Sequence, residues 1–167
     1  MTAVEKSLNT GKQTINVKPL PENGKPASFI GAVGQFDFKV KTSKTSLKAG
    51  ESLDLEVSVS GKGNLKLFTL PKPVVPNSLE MFDPIHTENV QTPLTGMVGN
   101  ISDKYTIIPQ FKGKYTIKPI EFSYYDLASK SYKTITSDEI TIDVAEGDNV
   151  VASSAENTNK NRIQKKE

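Results

Sequence analysis

Apolar and polar residues alternate strictly along Ser52–Ser60, and this period of two constrains the fold more than any other feature of the chain. Leu53, Leu55, Val57 and Val59 occupy every second position, while acidic and hydroxyl side chains fill the positions between them. A helix would scatter these aliphatic side chains around its circumference, whereas a strand places them all on one face. The segment therefore predicts a strand with one buried face and one solvated face.

The same alternation recurs along the chain, with turn residues between the segments, and no segment shows a comparable period of 3.6 residues. Evenly spaced short strands of this kind are typical of a sandwich or a barrel. The sequence therefore predicts an all-β fold, an immunoglobulin-like antiparallel β-sandwich of about seven strands. The strands are expected at about residues 35–41, 52–60, 64–69, 79–90 (broken), 100–108, 114–125 and 131–144.

The sixth predicted strand carries two signals about topology. Tyr115 follows Gly113 by two residues and precedes Ile117 by two. This spacing is that of the tyrosine corner of immunoglobulin-like sandwiches, in which the phenol bonds to upstream backbone, although Gly-x-Tyr also occurs in unrelated hairpins. The apolar phase then changes from odd to even positions near Pro119. A β-bulge is the expected cause, because a bulge leaves one residue unpaired and so tolerates proline.

All twelve aromatic residues lie between Phe29 and Tyr132, so the folded sandwich domain is expected over residues 27–146. Residues 1–26 are expected to hold a start segment, an orphan strand over Thr14–Pro21 and a linker from a preceding domain, because that strand has no partner nearby in sequence. Residues 147–167 are expected to form a disordered polar tail, since they contain no aromatic residue and few aliphatic ones.

Composition excludes several classes of protein. The absence of cysteine excludes disulfide scaffolds, thiol catalysis and cysteine-ligated metals. The 21 basic and 19 acidic side chains leave a net charge of +2, far from the one-sided charge of a dedicated nucleic-acid binder. No apolar run approaches the roughly 20 residues that cross a bilayer. The chain is therefore expected to be soluble, to bind no nucleic acid, and to meet a membrane only through segments outside it.

Candidate catalytic and metal-ligating residues are few. His86 is the only histidine, and no Gly-x-Ser-x-Gly or similar nucleophile motif accompanies it. A copper site joining His86 to Met81 or Met97 would need ligands that are scattered in sequence, and the carboxylates form no calcium-loop motif. We therefore expect no enzyme activity, no catalytic or metal-binding residue and no cofactor. A metal-dependent enzyme or metal carrier built on His86 is the least favoured alternative.

Two surface features point to binding. The loop Val90–Gly99 is longer than a turn requires and carries Leu94, Met97 and Val98 between glycines and a proline. These side chains either contact a partner or fold back over an open end of the sandwich. Tyr125 is the second of two adjacent strand tyrosines, so it points outward if the first lies in the core, as an interface residue or a glycan platform. These four residues are the predicted partner-binding set.

Several strings of residues are distinctive in combination. They are Val17-Lys-Pro-Leu-Pro21, Gly24-Lys-Pro26, Phe29, Gly31-Ala-Val-Gly34, Phe36, Ser60-Gly-Lys-Gly-Asn-Leu65 and Phe111-x-Gly-x-Tyr-Thr-Ile-x-Pro-Ile-Glu-Phe-Ser-Tyr-Tyr-Asp126, continuing through Tyr132-Lys-Thr to Thr136-Ser. This combination resembles the BatD family over about residues 14–144. The motifs are structural in kind, and none marks a catalytic site.

The resemblance implies a cell-envelope protein of the Bacteroides aerotolerance group. It implies a parent protein with a signal peptide, several immunoglobulin-like extracytoplasmic domains and a membrane anchor, facing the periplasm or cell envelope. The expected partners are other envelope proteins, among them von Willebrand type A domain and tetratricopeptide proteins. The expected function is that of a non-enzymatic interaction or scaffold domain linked to aerotolerance or stress tolerance. The alternative is a carbohydrate- or peptidoglycan-binding module that uses Tyr125 and the 90–100 loop.

Overall fold

The alternating segments pair into two sheets. The computed structural model describes residues 3–148, in which ten strands and no helix are present, so no helix there could cross a membrane. The larger sheet has the strand order β4-β6-β3-β1-β8-β9, with β5 also paired to β6, and the smaller sheet has the order β2-β10-β7. The strands are β1 (Phe29–Thr42), β2 (Ser46–Lys48), β3 (Leu53–Gly63), β4 (Leu79–Met81), β5 (Ile85–Gln91), β6 (Val98–Pro109), β7 (Gly113–Ile117), β8 (Glu121–Asp126), β9 (Ser131–Thr136) and β10 (Ile140–Ala145).

This architecture confirms the predicted all-β sandwich, with ten strands in place of about seven. Most pairs are antiparallel, but β1 pairs with β8 in parallel and β10 pairs with β2 in parallel. The predicted boundaries of the sandwich domain stay a prediction. Of the predicted disordered tail, residues 149–167 lie outside the described part of the chain.

The aliphatic row of β3 forms the centre of the core. Leu53, Leu55, Val57 and Val59 are each at most 1% exposed. β3 lies between β1 and β6, to both of which it is paired along nearly its whole length. The period-two prediction for this segment is therefore confirmed, since one face is buried and the other carries polar side chains.

Aromatic side chains from β1 and β8 fill the rest of the core. Phe36 and Phe38 of β1 pack against Phe122 and Tyr124 of β8, with ring centroids 5.4–6.0 Å apart. Phe122 is fully buried at the centre of this cluster. Because β1 and β8 are also paired through their backbones, the cluster joins the first and later strands of the domain.

The predicted β-bulge near Pro119 is wrong, because the chain changes sheet there. β7 belongs to the smaller sheet and β8 to the larger one, and the chain crosses back between β9 and β10. The backbone N–H of Ile120 donates to Ser137 Oγ and that of Ser137 donates to the Ile120 carbonyl, both over 2.9 Å, so the two crossings are bonded to each other. The change of sheet reverses the parity that faces the core, which explains the phase shift between Ile117 and Ile120.

One predicted strand is absent from the described residues, and another has no partner among them. β3 continues through Gly61–Gly63, beyond the predicted strand end at residue 60, and residues 64–69, predicted as a strand, form a loop in which Leu65 is 1% and Leu67 is 75% exposed. Thr14–Pro21 pairs with no described strand, and the orphan strand of a preceding domain expected there stays a prediction. A strand requires the hydrogen bonds of a partner, and alternation in the sequence cannot supply that partner.

Glycines allow β1 and β3 to approach closely at one end of the larger sheet, where Gly34 is opposite Gly63. Gly34 and Gly61 both have φ 148°, a conformation that side chains disfavour. A Cβ on Gly61 would overlap the carbonyl oxygen of Gln35, and a Cβ on Gly34 would overlap that of Lys62. Any side chain here would therefore force the two strands apart.

The predicted tyrosine corner is present. Tyr115 Oη donates a hydrogen bond to the carbonyl oxygen of Phe111 over 2.7 Å, which closes the turn before β7. A Cβ on Gly113 would lie 3.5 Å from the Tyr115 ring, so this glycine lies against the ring. Ile117 is 1% exposed. The corner therefore sets the start of β7 while the strand delivers Ile117 to the core.

Replacement of Tyr115 by Phe should lower the free energy of unfolding by about 1 kcal/mol, the net contribution of one hydrogen bond. Urea denaturation measures the change. Tyr124→Phe is the matched control, because the Tyr124 hydroxyl makes no hydrogen bond with a described residue. Equal stability of Tyr115→Phe and the wild type would contradict a stabilising role of the corner.

Gly61→Ala should destabilise the domain by roughly 2–4 kcal/mol, since the new methyl group adds a clash with backbone to an unfavourable φ. Thermal and urea unfolding measure the loss. Gly31→Ala separates the two effects, because Gly31 has φ 91° but open space around the Cβ position. If both variants lose the same stability, close strand approach is not the reason for glycine at position 61.

Candidate interaction groove

A groove opens at the end of the sandwich where the glycines of β1 and β3 lie. Its volume is about 290 Å³. Gly34 and Gly63 line its floor and contribute backbone without side chains, while Val33 adds apolar surface. Because these two glycines have no side chains, open space remains above the backbone of β1 and β3 at this end of the sheet.

The β5–β6 loop forms one wall of the groove. The backbone N–H of Gly63 donates to the Met97 carbonyl over 3.0 Å, which fixes the loop against the end of β3. The N–H of Gly96 donates to the Pro93 carbonyl over 3.0 Å and closes a turn within the loop. These bonds hold the Met97 side chain, which is half-buried, against the hydrophobic core.

The predicted loop residues divide between the two roles that the sequence left open. Met97 folds back over the end of the sandwich and lines the groove. Leu94 is fully exposed, and Val98 is 40% exposed. Leu127, in the β8–β9 turn that forms the opposite wall, is 62% exposed and was not predicted, because a single leucine in a polar turn gives no periodic signal. Leu127 therefore lies in one wall of the groove, whereas Leu94 belongs to the β5–β6 loop but does not itself line the groove.

Tyr125 does not belong to this exposed surface. It is 7% exposed, so the prediction of an outward-facing partner or glycan platform is wrong. Its ring packs edge-on against Tyr132 of β9, and Tyr132 packs in the same way against Phe29 of β1, each with ring centroids 5.0 Å apart. The tyrosine does point to the outer face of β8, but side chains of the neighbouring strands cover it.

Asp126 fixes the wall formed by the β8–β9 turn. It is 2% exposed, and its carboxylate accepts hydrogen bonds from Lys133 Nζ at 2.5 Å, Ala128 N at 2.9 Å and Ser129 Oγ at 3.0 Å. These bonds, above all the one from Lys133, lower the pKa of Asp126 to about 2. The charge of Asp126 is therefore compensated by its partners in the turn and by Lys133 of β9.

Lys62 supplies the other charged group of the groove. It lies on β3 at the rim, close to Gly96 of the opposite loop. Among residues 3–148 its ammonium group forms no ion pair. The groove therefore presents apolar surface together with one cation available to a ligand.

His86 lies away from the groove, on β5. Its Nδ1 is 2.6 Å from Oδ1 of Asp103, the residue opposite it on β6, and it is half exposed. Nearby, Lys66 Nζ contacts Glu88 at 2.7 Å. In the described part of the chain no three His, Cys, Asp or Glu residues are placed to hold a metal ion. His86 thus forms a cross-strand pair, and the expectations of no enzyme activity and no cofactor stay predictions.

A family model described as the BatD DUF11 like domain matches residues 40–144, from the end of β1 into β10. The chain belongs to the BatD family. This confirms the resemblance seen in the sequence and supports a cell-envelope protein associated with aerotolerance. The BatD span contains both walls of the groove, whereas Gly34 on its floor precedes the span. A comparison with curated proteins finds no match.

Asp126→Asn should destabilise the domain at neutral pH and remove part of its acid sensitivity. Because the folded-state pKa of about 2 lies below the ordinary 3.8, the stabilisation by Asp126 is fully present above pH 3.8 and is lost as pH falls through about 2. Unfolding free energies of wild type and variant should therefore converge towards pH 2. Exposed Asp138, changed to Asn, is the control. A constant difference between wild type and Asp126→Asn across this pH range would contradict the assignment.

Proposed function

We propose that this BatD domain is a non-enzymatic interaction domain of a membrane-anchored envelope protein, and that it contacts its partners through the groove between the β5–β6 loop and the β8–β9 turn. The observation that carries the proposal is one apolar groove lined by half-buried Met97 and by Leu127, which is 62% exposed, with fully exposed Leu94 in the same loop as Met97. A pair of large apolar side chains beside a concave surface is typical of a binding site.

Burial of these side chains supplies a driving force for association. A leucine moved from water into an apolar contact contributes about 1.5–3 kcal/mol. Lys62 at the rim adds a charge that favours an acidic partner surface and opposes a basic one. Hydrogen bonds from Gly63 to the β5–β6 loop and within the Asp126 turn hold both walls in place before a partner arrives, which reduces the entropy lost on binding.

The proposed partners are other envelope proteins, in particular von Willebrand type A domain and tetratricopeptide proteins. The parent protein is proposed to face the periplasm, where this domain acts as a scaffold. The link to aerotolerance would then be indirect, through the assembly that the domain holds together.

A photo-crosslinking amino acid placed at position 94 or 127 of the anchored full-length parent tests the proposal in cells. Both positions should capture envelope proteins. Val74 is the matched control site, because it is 73% exposed but belongs to neither of the two segments that form the walls of the groove. Equal capture from position 74, or no protein adduct from positions 94 and 127, would contradict the proposal. Adducts to peptidoglycan in place of protein would support the carbohydrate-binding alternative.

Leu94→Ser and Leu127→Ser should each weaken capture of the identified partner by about tenfold, as expected for loss of one buried leucine contact. The free energy of unfolding should change by less than about 0.5 kcal/mol, because both side chains are exposed in the isolated domain. A binding titration and a urea denaturation curve measure the two effects separately. Loss of stability together with loss of binding would argue for a structural role of these leucines.

A further inference from the structure

β9 is an unprotected edge of the larger sheet. It pairs with β8 on one side, and no other described strand pairs with it. Its six residues include no proline, and its one charged residue, Lys133, is bound to Asp126. Natural proteins usually protect such an edge with proline, bulges or unpaired charges, because its free N–H and C=O groups can accept a further strand.

The segment Thr14–Pro21, which precedes the domain and ends beside β9, is suited to pair with such an edge. Thr14–Pro21 alternates apolar and polar residues, yet Ile15 is 84% and Val17 is 88% exposed. No described strand supplies hydrogen bonds to its backbone. The two apolar side chains would share one face of a strand, so pairing would bury both together.

A hydrogen bond fixes the place where the segment Thr14–Pro21 meets the domain. Tyr132 Oη on β9 donates to the Pro21 carbonyl over 2.7 Å, and the Tyr132 ring packs against Phe29. The C-terminal end of the segment therefore lies next to the first residues of β9. In the structure it continues away from the domain, since residues 3–19 are all exposed.

We propose that Thr14–Lys18 of one copy of this chain adds as a strand to β9 of a second copy, and that the exchange is reciprocal. Because each copy carries its segment beside its own free edge, a two-fold arrangement brings both segments within reach of both edges. Pro19 limits the added strand at its end, since proline cannot donate to the ladder. Half-buried Tyr132 offers Ile15 and Val17 an apolar surface on β9. This proposal concerns a different surface from the groove.

Val17→Pro tests the exchange without disturbing the fold, because no hydrogen bond to the residue at position 17 exists within residues 3–148. Val4→Pro is the matched control, as Val4 is also 88% exposed but lies outside the segment. Analytical ultracentrifugation of the chain over a concentration series should show a monomer–dimer equilibrium for wild type and Val4→Pro. Val17→Pro should weaken dimerisation by about tenfold or more, as expected for broken ladder bonds.

Three results would overturn the proposal. The wild-type chain could be monomeric at every concentration, or Val17→Pro could dimerise as strongly as the wild type. A monomer in which the Ile15 amide is protected from hydrogen exchange would place the segment on β9 of its own chain. Neither the proline variants nor these outcomes bear on Leu94 and Leu127, so the test of the groove stands independently.

Discussion

Burial of one aliphatic row is the interaction on which the remaining structure depends. The side chains of β3 that face inward lie between β1 and β6, and they meet the aromatic cluster centred on Phe122. Burial of apolar surface is the dominant favourable term in folding, and it is strongest where side chains are fully removed from water. With β3 fixed in the centre, the register of β1 and β6 follows, and so does the position of the loops that extend from their ends.

The groove is a by-product of the same pairing. β1 and β3 approach each other so closely at one end that Gly34 and Gly63 cannot carry side chains. Their absence clears space above the backbone, and the loop holding Met97 closes only part of it. Strand packing and surface recognition are therefore linked: a change that relaxes the strands would also reshape the floor between Met97 and Leu127.

Local patterns in the sequence predicted the elements well and the long-range contacts poorly. The alternation in β3 and the spacing around Tyr115 depend on residues a few positions apart, and both predictions are confirmed. The change of sheet at Pro119 depends on Ser137, and the burial of Tyr125 depends on Tyr132 and Phe29. No periodicity within one segment reveals which strand will cover it, so the predicted bulge and the exposed tyrosine were both wrong.

For the candidate site, the sequence identified the loop because its length and apolar content were unusual for a turn. It did not identify Leu127 or Lys62, whose significance comes only from being brought opposite that loop. The resemblance to the BatD family rested on strings of residues that shape turns and strands. It therefore supported fold and location more firmly than any contact surface.

The parallel pairing of β10 with β2 has a mechanical consequence. Asp143, Val144 and Ala145 lie opposite Ser46, Leu47 and Lys48, and β10 is the last described strand. Tension on the chain beyond β10 would draw it lengthwise past β2, so the bonds between them would be loaded in shear and would have to fail together instead of peeling apart singly. Under tension directed along β10, this short ladder would therefore resist more than the same few bonds would if they were peeled apart.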